Sequence, residues 1–179
     1  FGYLQFIPCL RPMGDNTESE LYMTPQQYSD FLIRIFNLYV KDFTRGKYMS
    51  IRQFDNWVRM YLGERAEQCG LMGHCTHQFV AEGNGNLYLC DFYCTDEWLL
   101  GNINNEKENF DTLAHCDKAI EFLKESLKIK EECKKCRLYP LCRGGGCKRS
   151  REDRNYCESY KAFFKACLPL FRAFINEKK

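Results

Sequence analysis

The chain has 179 residues, a formal net charge of +2, 45% hydrophobic and 15% aromatic residues, and twelve cysteines. That length suits one domain, or one and a fragment, and lets roughly 70% of the unfolded surface be buried, so disulfides are not needed for folding. The aromatic content excludes a disordered chain, and the near-neutral charge gives no general affinity for nucleic acid, the short Lys148-Arg149-Ser150-Arg151 cluster notwithstanding.

The opening FGYLQFIPCLRPMG lacks the basic start and small-residue cleavage site of a secretory leader, and no stretch reaches the ~18 apolar residues of a membrane span. No membrane association is therefore expected. Residues 3–9 read as a buried strand, flanked by Gly2, Pro12 and Gly14. Thr24, Pro25 and Gln27 spell a capping box with proline at the first helical position. They open a helix with an apolar stripe from Tyr28 to Phe43, and Gly46 suits its stop. Ser50 and Gln53 repeat the capping box for a second helix ending near Gly63. Two short strands around Asn84-Gly85-Asn86 predict a hairpin over 78–92. A helix is expected over 117–128, and 133–150 is rich in cysteine and glycine without periodicity. Asn155 is placed to cap a last apolar helix, which Pro169 should kink.

The cysteines carry the chemistry. Twelve of them without a secretory leader predict a reducing compartment, the cytoplasm, where thiolates bind metal instead of pairing. Cys133, Cys136, Cys142 and Cys147 fall within fifteen residues. A Cys-x2-Cys step presents two thiolates from one turn, and the glycines let the backbone wrap a site. Structural zinc is the nearer rival, although no second CxxC or histidine pair stands at zinc-finger spacing. Cys157 falls in the first turn of the last helix, where free N–H groups favour an anionic group. Cys167 lies on that helix's apolar stripe and reads as core. His74 and His77 read as ordinary loop residues, and Cys9, Cys94 and Cys116 fit no pattern.

Taken in order, Cys75-x9-Gly85-x4-Cys90, Cys133-x2-Cys136-x5-Cys142, a glycine-rich step to Cys147, and Cys157 resemble the SPASM domain of radical SAM enzymes. The stretches SIRQFDNWV, QCGLMGHC, LYLCDFY, DEWLLGN, CRGGGCKR and NYCESYKAFF narrow the likeness to anaerobic sulfatase-maturating enzymes, from about residue 3 to 170. The resemblance implies an α+β fold. The terminal strand and helices of a partial (β/α) barrel over 1–64 would precede a SPASM domain over 65–179, a β-hairpin plus helices around two iron–sulfur clusters. It implies one auxiliary 4Fe–4S cluster on Cys69, Cys75, Cys90 and Cys147, and a second on Cys133, Cys136, Cys142 and Cys157. Asp91, directly after Cys90, would be the general base. The family's reaction converts a sulfatase cysteine or serine to formylglycine, with S-adenosylmethionine and a third 4Fe–4S cluster held by a CxxxCxxC motif.

This sequence departs from the family in three places. Four residues separate Cys142 from Cys147 where the family has three, the step from Cys147 to Cys157 is short, and no CxxxCxxC occurs. The SAM-binding part would lie upstream, and this chain alone is expected to be inactive. The expected partner is an unfolded sulfatase or other peptide, and the expected state is a monomer. Two alternatives stand beside this reading. One is a SPASM-type enzyme modifying another peptide, and the other is a non-catalytic, metal-stabilised module that binds a protein.

Overall fold

The computed structural model describes residues 1–153 and 156–175. It is a mixed helix and sheet fold built on two apolar cores. Strand β1 (Tyr3–Leu4) pairs in parallel with β2 (Ser50–Ile51). The longer strand expected over 3–9 is not formed, and Tyr3, Phe6 and Ile7 are exposed. A buried parallel strand needs cover on both faces, and here β1 has one short neighbour and runs into Pro8.

Helix α1 (Pro25–Phe43) starts as its sequence dictates. Thr24 Oγ1 accepts from the Gln27 N–H at 3.2 Å, and the Thr24 N–H donates to Gln27 Oε1 at 2.8 Å. The second helix, α2 (Arg52–Tyr61), starts differently from its expectation. Ser50 is occupied by strand pairing, Ile51 takes the cap position without a side-chain bond, and the Ser50 hydroxyl turns to Asp55. Asp55 also accepts from the hydroxyls of Tyr39 at 2.6 Å and Tyr48 at 2.9 Å, so one carboxylate ties α1, its following loop and α2 together.

After α3 (Cys69–Met72) come β3 (Val80–Ala81) and β4 (Asn86–Tyr88), the expected antiparallel hairpin. Its turn needs a glycine, because Gly85 has φ +88° and an added Cβ would stand 2.5 Å from Asn104 Nδ2. A third strand that the sequence did not announce, β5 (Gly101–Asn102), pairs with β4. Helices α4 (Phe110–Ala114) and α5 (Asp117–Ser126) follow, α5 close to the expected span. The cysteine-rich segment folds into three short helices, α6 (Glu131–Lys134), α7 (Tyr139–Cys142) and α8 (Lys148–Asp153).

Helix α9 (Cys157–Cys167) has Tyr156 at its cap position; the cap expected from Asn155 lies outside the described residues. Instead of a kink, Pro169 brings a change of helix type, and a 3-10 segment runs from Leu168 to Phe174. Helix α9 packs on α1, and Ser159 Oγ donates to the Pro25 carbonyl at 2.8 Å. The larger core lies between them and α2. Trp57 stacks on Phe163 at 4.7 Å between centroids, and Phe36 on Phe171 at 4.7 Å. Cys167 is fully buried there, as its place on the stripe predicts. The smaller core gathers Leu89, Tyr93, Trp98, Ala119 and Phe122, and Cys75, Cys90 and Cys116 pack against it. Among the described residues no helix is long and apolar enough to cross a membrane.

Candidate metal centres

Cys69, Cys75, Cys90 and Cys147 line one cavity of about 490 Å³. Each reaches it for a local reason. Cys69 opens α3, whose approach is fixed by Asn56: its Oδ1 accepts from the N–H groups of Glu67 at 2.7 Å and Gln68 at 2.9 Å. The Cys75 N–H donates to Ser126 Oγ at 2.9 Å, which moors this loop to the end of α5. Cys90 follows β4 in extended backbone, and the chain then bends into a 3-10 turn over Asp91–Tyr93. In a continuing strand Cys90 and Asp91 would face opposite ways; the bend brings both to the cavity. Cys147 precedes α8, and its sulfur accepts from the Ser150 N–H at 3.5 Å. Gly70 lies against it, and a Cβ there would stand in ordinary contact, 3.7 Å from that of Cys147.

Asp91 is exposed at the cavity's rim. Its Oδ1 accepts from the Phe92 N–H at 3.1 Å and from the Cys90 thiol at 3.4 Å.

Cys69, Cys75 and Cys90 are not poised as nucleophiles. Burial pushes Cys90 up to about 12, against the Phe92 N–H that donates to it and with the Asp91 carboxylate beside it. Burial also raises Cys69, and the neighbouring Cys75 and Cys147 add to it. Cys75 is raised by burial and by Cys147, with the Ser126 hydroxyl opposing. A reactive cysteine needs the reverse. Thiols so placed lose their protons to a bound metal, whose positive charge offsets both burial and mutual repulsion.

The second set is drawn together as well. Cys133 lies in α6, Cys136 in the turn after it, Cys142 at the end of α7, and Cys157 begins α9. Burial raises Cys133, and Cys157 is the first neighbour to add to it. Burial raises Cys142, the N–H groups of Gly144 and Gly145 oppose this, and Cys136 and Cys157 add to it. The longer step to Cys147 is taken up by a left-handed run: Arg143, Gly144, Gly145 and Gly146 have φ of +51°, +82°, +106° and +106°. Three glycines make such a run accessible.

Among the described residues no three of His, Cys, Asp or Glu converge on a single metal ion, and no disulfide forms. A tetrathiolate zinc site needs sulfurs about 3.8 Å apart, from a Zn–S bond of about 2.3 Å in a tetrahedron. Four cysteines around one cavity are also the donor set that a 4Fe–4S cluster takes.

The remaining candidates stay apart. Cys9 is exposed, the Cys94 thiol points to the Cys90 carbonyl at 3.7 Å, and Cys116 caps α5. His77 Nε2 meets the Ala114 carbonyl at 3.0 Å and His74 is exposed, in keeping with loop histidines. Three residues that build the first site carry no signal in the sequence: Asn56, Tyr93 and Ser126. In the basic cluster, weighed above only for nucleic acid, Lys148 and Arg149 are buried.

No family model matches the chain. It is 44% identical over 94% of its length to a cysteine-type anaerobic sulfatase-maturating enzyme of Clostridium perfringens, and covers 47% of that protein. It is 29% identical over 93% of its length to a serine-type enzyme of Bacteroides thetaiotaomicron, covering 45% of it. A solved structure of native anSMEcpe with bound AdoMet and Cp18Cys peptide superposes over all of this chain and 51% of its own length, at 40% identity and a TM-score of 0.90. The chain thus spans about half the length of the relatives it matches.

Proposed function

We propose that this chain, a homologue of the C-terminal part of the anaerobic sulfatase-maturating enzymes, is the auxiliary-cluster half of such an enzyme. In this reading residues 1–64 finish a partial (β/α) barrel and 65–179 form a SPASM domain. The observation that carries it is the first cavity, where four cysteines distant in sequence share a wall with Asp91. Cys69, Cys75, Cys90 and Cys147 would hold one 4Fe–4S cluster, and Cys133, Cys136, Cys142 and Cys157 another. When bound, a cluster would supply a one-electron acceptor close to the substrate. S-adenosylmethionine and a third cluster would belong to the part of the parent protein that these residues do not span.

The substrate would be an unfolded sulfatase peptide. The solved relative's bound peptide supports this, and the higher identity to the cysteine-type enzyme favours cysteine as the residue converted. Asp91 has the chemistry for one defined task. Once a hydrogen atom has left the substrate Cβ, forming the aldehyde or thioaldehyde requires loss of a proton and an electron. A carboxylate at the open rim can take that proton from the substrate hydroxyl or thiol. The smaller core holds the turn that carries Asp91, because Tyr93 is buried two residues on.

The test is Asp91→Asn in the full-length parent enzyme. Asparagine keeps the shape and cannot take a proton. Aldehyde formation should fall by about 100-fold or more, with iron content and deoxyadenosine production kept. Wild-type aldehyde yield would remove Asp91 from the mechanism, and loss of iron would make it structural.

A further inference from the structure

We infer that Lys148 is a positioning residue for the first set of thiols: its buried ammonium fixes Cys147 on the cavity wall and keeps a positive charge beside it. This rests on reading that set as cluster ligands.

Cys147 is the ligand with the most to arrange. The other three come from residues 69–90, while Cys147 arrives from a separate segment, directly before a helix of six residues. A helix so short does not hold itself in place. The next residue, Lys148, is 8% exposed, and lysine is almost never buried without partners. Its Nζ stands 4.2 Å from the ring centroid of Tyr93, 5.4 Å from Trp98 and 5.5 Å from Phe122. It pairs with Glu152 at 2.7 Å and Glu125 at 3.5 Å, and the Tyr93 hydroxyl donates to Glu152 as well.

These partners belong to the other thiols' supports. Tyr93 ends the turn that begins at Asp91, directly after Cys90. Glu125 precedes Ser126, whose hydroxyl receives the Cys75 N–H. The segments that carry Cys147 and Cys90 therefore meet at one ammonium group, together with the end of α5 that moors Cys75. Its charge matters as well as its contacts. The ammonium is buried and so poorly screened by salt, and without Lys148 the thiolates lose that positive charge. A more anionic setting makes an added electron less welcome, and the potential of a bound cluster falls.

The experiment uses the full-length parent enzyme as wild type, Lys148→Met and Lys148→Arg, each loaded with iron and sulfide without oxygen. Methionine keeps the apolar stem in the aromatic cage, and arginine keeps the charge and its attraction to the rings. The readouts are iron per chain and a reductive titration followed by electron paramagnetic resonance. For Lys148→Met we expect the first cluster's oxidised-to-reduced ratio at fixed poise to change about tenfold, a fall of about 59 mV for one electron, with the second cluster unmoved. Lys148→Arg should titrate like the wild type. Loss of the first cluster in the methionine variant alone also supports the inference. Wild-type iron and potential in Lys148→Met overturn it, as does equal loss of the cluster in both variants. Wild-type enzyme that takes up no iron on this set overturns the reading beneath it, and the inference with it.

Discussion

Replacing Asn56 by alanine should loosen the approach to Cys69 more than its distance from the thiols suggests. Asn56 is 1% exposed on the core side of α2. Its Oδ1 receives the N–H groups of Glu67 and Gln68, and its Nδ2 donates to the Arg52 carbonyl at 2.8 Å. Alanine offers nothing to the two N–H groups, and a buried donor left unmade costs about 1–3 kcal/mol. Water reaches Glu67 more readily than Gln68, so about 2–4 kcal/mol in total is expected. For a chain of this size that corresponds to a melting point lower by about 4–16 °C. Asn56→Asp keeps an acceptor for both N–H groups but turns its other oxygen on the Arg52 carbonyl and the Glu67 carboxylate, so it should recover only part of the loss. Thermal melts of the three proteins, with hydrogen exchange across residues 67–72, measure this. The reasoning fails if Asn56→Ala melts within about 1 °C of the wild type, or if 67–72 are no less protected in it.

Trp57→Ala empties the centre of the larger core, and denaturant titration should show a loss of about 3–5 kcal/mol. Gly85→Ala should cost at least about 1 kcal/mol in the same assay, because an L side chain there meets both a left-handed backbone and Asn102 and Asn104. Hydrogen exchange on metal-free and loaded protein should show strong dependence on metal around 69–94 and 133–157, where ligation supplies much of the ordering energy. Protection in α1 and α2 should change little, since both pack into the larger core. Equal protection of both regions without metal would refute this.

What was legible in the sequence followed from local chemistry. The Thr24–Gln27 box, the stripe of α1, the turn at Gly85 and the burial of Cys167 each depend on neighbours in the chain or on one periodic face. Ser50 shows where such reading stops: its capping signal is sound, but pairing with β1 from nearly fifty residues away claims the same residue. Strand β5 is a glycine and an asparagine, and it exists because Asn102 completes the edge of β4 and bonds to Asn86 at 2.9 Å. The two groups of cysteines stand out in the sequence by order and spacing, because folding alone does not need so many thiols at such short steps. Their supports do not. Asn56, Ser126 and Lys148 act across separations that no local pattern records, and a lysine inside a basic run reads as surface until its aromatic and acidic partners are placed around it.

The most direct test of the two thiol sets is the iron and acid-labile sulfide content of the chain after anaerobic reconstitution. Two 4Fe–4S cores predict about eight iron and eight sulfide per chain, with broad thiolate-to-iron absorption near about 400 nm. Stoichiometric zinc with no uptake of iron would contradict it.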